Sequence, residues 1–229
     1  MTERDLSRWT PRPRPDGRTL QGRWCRLEKL DPARHGNSLY EASVAPGADE
    51  RFRYLPDPPP DRASFDAWAE KMAASTDPLC YAVIDSATGR AEGRQTLMRI
   101  DPGNGVIEIG NILWGPKIAR TRMATEALYL FAGHSFDDLG YRRFEWKCNA
   151  LNAPSRRAAE RFGFAFEGVF RNHMVVKGEN RDTAWYAMID GDWPTIKAGM
   201  ERWLDPGNFG EQGVQKRPLG AMMGTGAGG

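Results

Sequence analysis

The chain of 229 residues is 40% apolar and 27% charged, with a formal net charge of +2. That is a globular composition, long enough for one sizeable core, and its charge is too balanced to point to nucleic acid or an anionic membrane as partner. Three cysteines (Cys25, Cys80, Cys148) and three histidines (His35, His134, His173) stand far apart, so neither a disulfide framework nor a zinc site is expected. With no 18-residue apolar run and no charged-then-apolar leader, a soluble cytoplasmic protein is expected, without metal.

Residues 1–19 carry five arginines and three prolines and are expected to lie on the surface as a basic arm. Residues 20–30 alternate as a strand does, and "DPARHGNSLYEAS" opens a helix on the cap Asp31. A rigid proline loop then leads into a helix in which Phe65, Trp68, Ala69 and Met72 recur at helical spacing. Two apolar runs flank Ser86-Ala87-Thr88-Gly89, a hairpin signature. The strand "GVIEIGNILW" is bounded by Pro102-Gly103 and Gly115-Pro116.

A helix over about 122–138 follows, with Ala124, Leu128, Phe131 and Ser135 on one stripe, and then the strand "RRFEWKC". A helix over about 153–162 starts after the cap Asn152, takes Pro154 in its first turn and stops at Gly163. "FAFEGVFRNHMVV" and "TAWYAMI" form a second hairpin, and "DWPTIKAGMERWL" a last helix. Residues 20–204 are expected to form the folded domain; residues 205–229 hold 8 of the 25 glycines and are expected to be a flexible tail.

The element order predicts an α+β fold with a mixed sheet, in which the strands near 106–114 and 142–148 form a parallel pair joined by a helical crossover. The loop "KIARTRM" lies at the carboxyl end of the first of these strands, where such sheets bind ligands.

The ordered set of Tyr81-Ala82-Val83-Ile84-Asp85, Glu108-Ile109-Gly110, Ala124-Thr125-Glu126-Ala127, Asn152-Ala153-Pro154-Ser155, Gly163-Phe164 and Arg181-Asp182 resembles the GCN5-related N-acetyltransferases. Within them it is most similar to the branch of ribosomal-protein N-terminal acetyltransferases. The resemblance covers residues 20–195. It implies a mostly antiparallel sheet with a central splayed parallel pair and flanking helices. It also implies acetyl-coenzyme A as co-substrate and direct transfer to a primary amine, on a small molecule or a peptide.

The resemblance departs at the phosphate loop. The family's Gln/Arg-x-x-Gly-x-Gly/Ala corresponds here to Ala119, Arg120, Thr121, Arg122, Met123 and Ala124. The final small residue is kept, and Arg122 replaces the glycine. A helix N-terminus offers unpaired N–H groups and partial positive charge to a phosphate whether or not glycine is present. Arg122 is compatible with that role at negative φ with its side chain outward. Arg120 and Arg122 could then each add a charge-assisted bond of about 1 kcal/mol.

The resemblance makes Ile112, Leu113, Trp114, Arg120, Thr121, Arg122, Met123, Ala124, Thr125, Asn152 and Ser155 the coenzyme-binding candidates. Ser155 is also the candidate proton donor to the leaving thiolate. Glu108 and Glu145 are both candidate bases, because strand register is not fixed by sequence. A route through water with no single base is the alternative. Glu126 reads as structural, and Cys148 as core rather than nucleophile. Acceptor contacts are expected from the proline loop, with Tyr54 and Trp68 foremost, and from the later hairpin around Arg171, His173 and Lys177. A larger acyl group such as succinyl, or coenzyme binding without transfer, are alternatives. The hairpin edges leave a homodimer open.

Overall fold

The computed structural model describes residues 5–223; residues 1–4 of the expected arm and 224–229 of the expected tail lie outside them. Eight strands form one sheet: β1 (Leu20–Gln21), β2 (Cys25–Lys29), β3 (Leu79–Asp85), β4 (Ala91–Asp101), β5 (Val106–Trp114), β6 (Arg143–Asn149), β7 (Ala165–Val176) and β8 (Glu179–Ile189). Their order across the sheet is β1-β2-β3-β4-β5-β6-β8-β7. Every neighbouring pair is antiparallel except β5 and β6. The helices are α1 (Pro32–Val44), α2 (Ala48–Phe52), α3 (Arg62–Ala74), α4 (Arg122–Gly133), α5 (Ala153–Arg161) and α6 (Trp193–Leu204).

The sheet is filled on both faces. On one, Leu27, Tyr81, Leu97, Ile107, Phe144 and Met188 pack with Leu128 and Phe131 of α4 and Met200 of α6. On the other, Cys80, Ala82, Ile84 and Ala91 pack with Leu39 of α1 and with Phe65 and Ala69 of α3. Alternation along β3 produces both layers from one strand, since Tyr81 and Val83 join the first and Cys80, Ala82 and Ile84 the second. All three cysteines are buried and free.

Local chemistry starts and stops the elements. Asp31 caps α1 by accepting from Ala33 and Arg34 N–H, and Asp61 caps α3 through Ser64 N–H. The β7–β8 hairpin turns on two residues, Lys177 (φ +53) and Gly178 (φ +80), as a tight primed turn demands. β8 accordingly begins at Glu179, earlier than the sequence pattern suggests.

Three elements differ from expectation. The strand expected over 20–30 is broken at Gly22, where an added Cβ would lie 2.6 Å from both the Cys25 carbonyl and the Glu126 carboxyl carbon. The helix expected to reach residue 138 is α-helical only to Gly133, and His134–Asp138 continues as one wider π-type turn. The supposed tail is folded through residue 223: Phe209, Leu219 and Met222 are buried, and Phe209 sits edge-on to Trp203 at 5.0 Å. Glycine content suggested freedom there, but these apolar side chains find a hydrophobic surface on α6. Residues 5–19 lie on the surface and are tied down by Trp9 Nε1 donating to the Gly103 carbonyl (2.7 Å) and by Arg14 pairing with Asp77 (3.2 Å).

Candidate active site

The parallel pair is short. Val106–Ile109 faces Arg143–Trp146 in register, and beyond Ile109 the two strands have no ladder. The cause is visible in β5. Its pairing with β4 steps from Thr96↔Gly110 to Arg94↔Leu113, so Asn111 and Ile112 together oppose Gln95. Asn111 adopts φ +48, a β-bulge conformation that asparagine tolerates better than most residues. The strand therefore swings away from β6 and opens a wedge, with α5 starting just past the end of β6.

Two cavities open on this wedge. The larger, about 1100 Å³, is lined by Trp114, the loop 119–124, Pro154, Ala158 and Phe162, with Arg23, Trp24, Arg161, Trp203 and Phe209 around them. The smaller, about 430 Å³, is lined by Tyr54, Glu108, Gly110–Ile112, Trp146–Asn149, Asn152, Ser155 and Arg181, among others.

In the larger cavity the loop is organised without glycine at position 122. Gly115 carbonyl accepts from the N–H groups of Ile118 and Ala119, both at 3.0 Å. Thr121 caps α4, its Oγ1 accepting from Met123 N–H at 3.2 Å. Among the described residues the first-turn N–H groups of Arg122 and Ala124 find no acceptor and are available to an anion. The one left-handed residue is Arg120 (φ +64), two places before the family's glycine. Arg122 has ordinary helical backbone, and its guanidinium carbon lies over the Trp24 ring, 3.5 Å from its centroid, with Phe209 at 5.5 Å. Aromatic stacking thus holds the charge at the rim of the cavity rather than leaving it free outward. Arg161 donates to Thr125 Oγ1 (3.1 Å), and burial works against its charge.

Trp24 is itself positioned by Glu126. This carboxylate is buried and accepts from Arg23 N–H (2.8 Å), Trp24 N–H (2.6 Å) and Cys25 N–H (2.7 Å). Glu126 is structural, as its sequence position suggested, but it serves the start of β2 rather than the helix dipole.

In the smaller cavity, Asn152 Oδ1 accepts from Ser155 N–H (3.1 Å), capping α5. Trp146 Nε1 donates to Ser155 Oγ (3.0 Å), and the serine hydroxyl in turn meets the Cys148 thiol beside it. Glu108 and Glu145 are direct partners across the parallel pair and so share one face. Lys147, two places along β6 from Glu145, bridges them: its Nζ lies 2.9 Å from Glu108 Oε2 and 2.6 Å from Glu145 Oε2. Arg99 Nη1 also donates to both Glu108 oxygens, at 2.7 and 2.8 Å. Burial raises the Cys148 thiol above its usual value, which suits a core cysteine rather than a nucleophile.

The sequence candidates therefore divide. Trp114, Arg120, Thr121, Arg122, Met123 and Ala124 line the larger cavity, and Ile112, Asn152, Ser155, Glu108 and Tyr54 the smaller. Leu113 (2% exposed) and Thr125 (0%) point into the interior and line neither, so contact from Leu113 would fall to its backbone. Glu145 is off the cavity wall and reaches it only through Lys147. Trp68 is displaced from Tyr54: it lines a separate 180 Å³ cavity, where the Arg94 guanidinium lies 4.1 Å over its ring. Helical spacing placed Trp68 on the apolar side of α3, and that side faces the sheet. The sequence reading missed Trp24, Arg161, Trp203 and Phe209, whose only signal was their type. No group of three or more His, Cys, Asp or Glu among the described residues could hold a metal ion, and no described helix is long and apolar enough to cross a membrane.

A family model, the acetyltransferase (GNAT) domain, matches residues 30–165. A GCN5-related N-acetyltransferase from Brucella melitensis is 54% identical, over 95% of this chain and 99% of its own, with a TM-score of 0.94. A probable acetyltransferase (GNAT family) from Chromobacterium violaceum is 37% identical, over 85% and 97%, with a TM-score of 0.78. No curated protein matches. The chain belongs to the GNAT acetyltransferase family, which makes it an acyltransferase. The fold alone also extends to an acetyl transferase from Salmonella typhimurium that modifies the N-terminal serine of ribosomal protein L7/L12, at 18% identity, 75% and 99% coverage and a TM-score of 0.66.

Proposed function

We propose that this protein moves an acetyl group from acetyl-coenzyme A directly to a primary amine. The observation that carries the reading is the wedge: a phosphate-type helix start on one side, a second cavity on the other, and an unladdered strand edge from Gly110 to Trp114 between them. The residues fit the coenzyme. Arg122 and Ala124 N–H, with Arg120, Arg122 and Arg161, offer donors and charge to its phosphates. The free backbone of β5 suits the pantetheine amides and the thioester oxygen. Bound acetyl-coenzyme A supplies the activated acetyl thioester.

The chain's own part is to position and to move protons. Ser155, its Oγ fixed by Trp146, donates a proton to the departing thiolate. Glu108 faces the acceptor cavity, but both its oxygens are engaged by Arg99 and Lys147. It therefore orders water beside the amine rather than acting as a free base, and Glu145 supports it through Lys147. The acetyl group is favoured over a larger acyl on the family resemblance. The acceptor's amine enters past Tyr54. Three buried thiols are compatible with the reducing cytoplasm. The ribosomal-protein branch stays a proposal resting on the quoted motifs, and a homodimer through the exposed β7 edge another.

Titration with acetyl-coenzyme A is expected to show saturable binding, and release of free thiol in the presence of an amine panel to show transfer. Failure to bind at millimolar coenzyme refutes the assignment of the larger cavity. Binding without thiol release refutes transfer and leaves a coenzyme-binding protein.

A further inference from the structure

The smaller cavity is electropositive. Arg51, Arg99, Lys147 and Arg181 line it, and Glu108 is its one carboxylate. Lys147 bridges Glu108 and Glu145, and Arg99, half exposed, is tied to Glu108 through Nη1. Arg51 is spent on backbone carbonyls at the end of α1, among them Ala45 (2.5 Å), Pro46 (2.8 Å) and Ser43 (3.2 Å). Arg181 of β8 is different. It is half-buried, its Nε is shielded from solvent with no acceptor, and its guanidinium has no hydrogen bond or ion pair with any described residue.

A guanidinium partly stripped of water and lacking an anion is costly, and burial works against its charge. Glu108, already bonded to Arg99 and Lys147, attracts it at a distance but gives it no hydrogen bond. The planar fork of Arg181 matches a carboxylate that accepts two parallel hydrogen bonds. Ser155 and the wedge line the same cavity of about 430 Å³, at the small end of the range for ligand sites, which suits a compact acceptor better than a long peptide.

We propose that the acceptor is a small amine that also carries a carboxylate, an amino-acid-like molecule, with its carboxylate seated on Arg181 and its amine directed to the wedge beside Ser155. This rests on the transferase reading above and adds the substrate class. Arg181 is then a specificity-determining residue in contact with substrate.

The test compares thiol release from acetyl-coenzyme A with ω- and α-amino acids and with their uncharged amides, rates being expressed per neutral amine. The acids are expected to exceed their amides in kcat/KM by about 10- to 100-fold, the size of a lost charge-assisted pair. Arg181→Gln should collapse that ratio towards unity, mainly through KM, and Arg181→Lys should restore part of it. The acetyl-coenzyme A Kd should be unchanged in both variants, which also shows that they fold. Equal rates on acids and amides, a preference for amides or for peptides, or a ratio surviving in Arg181→Gln would overturn the proposal while leaving the transferase reading intact. Absence of turnover with every amine would overturn both.

Discussion

The hold of Glu126 on the start of β2 makes a quantitative prediction. Its carboxylate accepts three backbone N–H groups at 2.6 to 2.8 Å while only 5% exposed. A hydrogen bond to a charged group contributes roughly 1.5–3 kcal/mol, and three sharing one carboxylate contribute less than their sum. Glu126→Ala should therefore cost about 3–5 kcal/mol, a large part of the stability of an ordinary domain. Glu126→Gln keeps the shape but turns an amide NH₂ towards backbone donors, and should cost about 2 kcal/mol. Urea unfolding at neutral pH measures both, with the slope unchanged if only the native contact is lost. The same substitutions should weaken coenzyme binding, because Arg23 and Trp24 line the larger cavity and Trp24 carries Arg122. A Glu126→Gln protein with wild-type midpoint and wild-type coenzyme affinity would refute this account of how the cavity is positioned.

Three further outcomes are expected. Ser155→Ala should lower kcat by about 10²-fold or more with little change in coenzyme Kd, as loss of a positioned proton donor does; an unchanged kcat would remove Ser155 from the chemistry. Arg122→Ala should weaken acetyl-coenzyme A by about tenfold, or roughly 1.4 kcal/mol, and Arg122→Glu by clearly more; equal affinities would mean that the charge over Trp24 never meets a phosphate. Stability should fall on the acid side. Burial holds His35 below its usual 6.5 despite the Glu28 carboxylate 3.1 Å away, so below that pH the unfolded chain takes up a proton that the folded one resists. Glu28, whose carboxyl is penalised by burial but held below its usual 4.5 by Arg26 and His35, extends the loss to lower pH. Thermal melts from pH 7.5 to 5 should show Tm declining, and His35→Gln should flatten the decline across the upper part of that range.

Periodicity and punctuation made much of the fold readable. Ser86-Ala87-Thr88-Gly89 does turn β3 into β4, Asn152 and Pro154 do open α5, and the crossover does make β5 and β6 parallel. The wedge could be expected only from family resemblance, because it arises from one bulged residue, Asn111, that leaves no hydrophobic pattern. The common face of Glu108 and Glu145 was hidden because register across a parallel pair is set by packing, not by local sequence. The stacking of Arg122 on Trp24 joins residues 98 positions apart, and Trp68 could be assigned to a face but not to what that face meets. Such long-range contacts account for most of what composition and spacing left open, including the folding of residues 205–223.

The wall of the larger cavity is drawn from nearly the whole length of the chain: Arg23 and Trp24, Asp85–Ala87, the loop 119–124, α5, and finally Trp203 and Phe209 with Gln212–Gln215. A molecule seated there works as a further non-covalent brace between segments that already meet at single side chains, as Arg122 meets Trp24 and Phe209. Its binding energy is then available to the whole fold, about 2.7 kcal/mol at one hundred times its Kd. Thermal stabilisation becomes a label-free search tool: coenzymes differing only in their acyl group can be ranked by the melting shift they confer, before any acceptor amine is known.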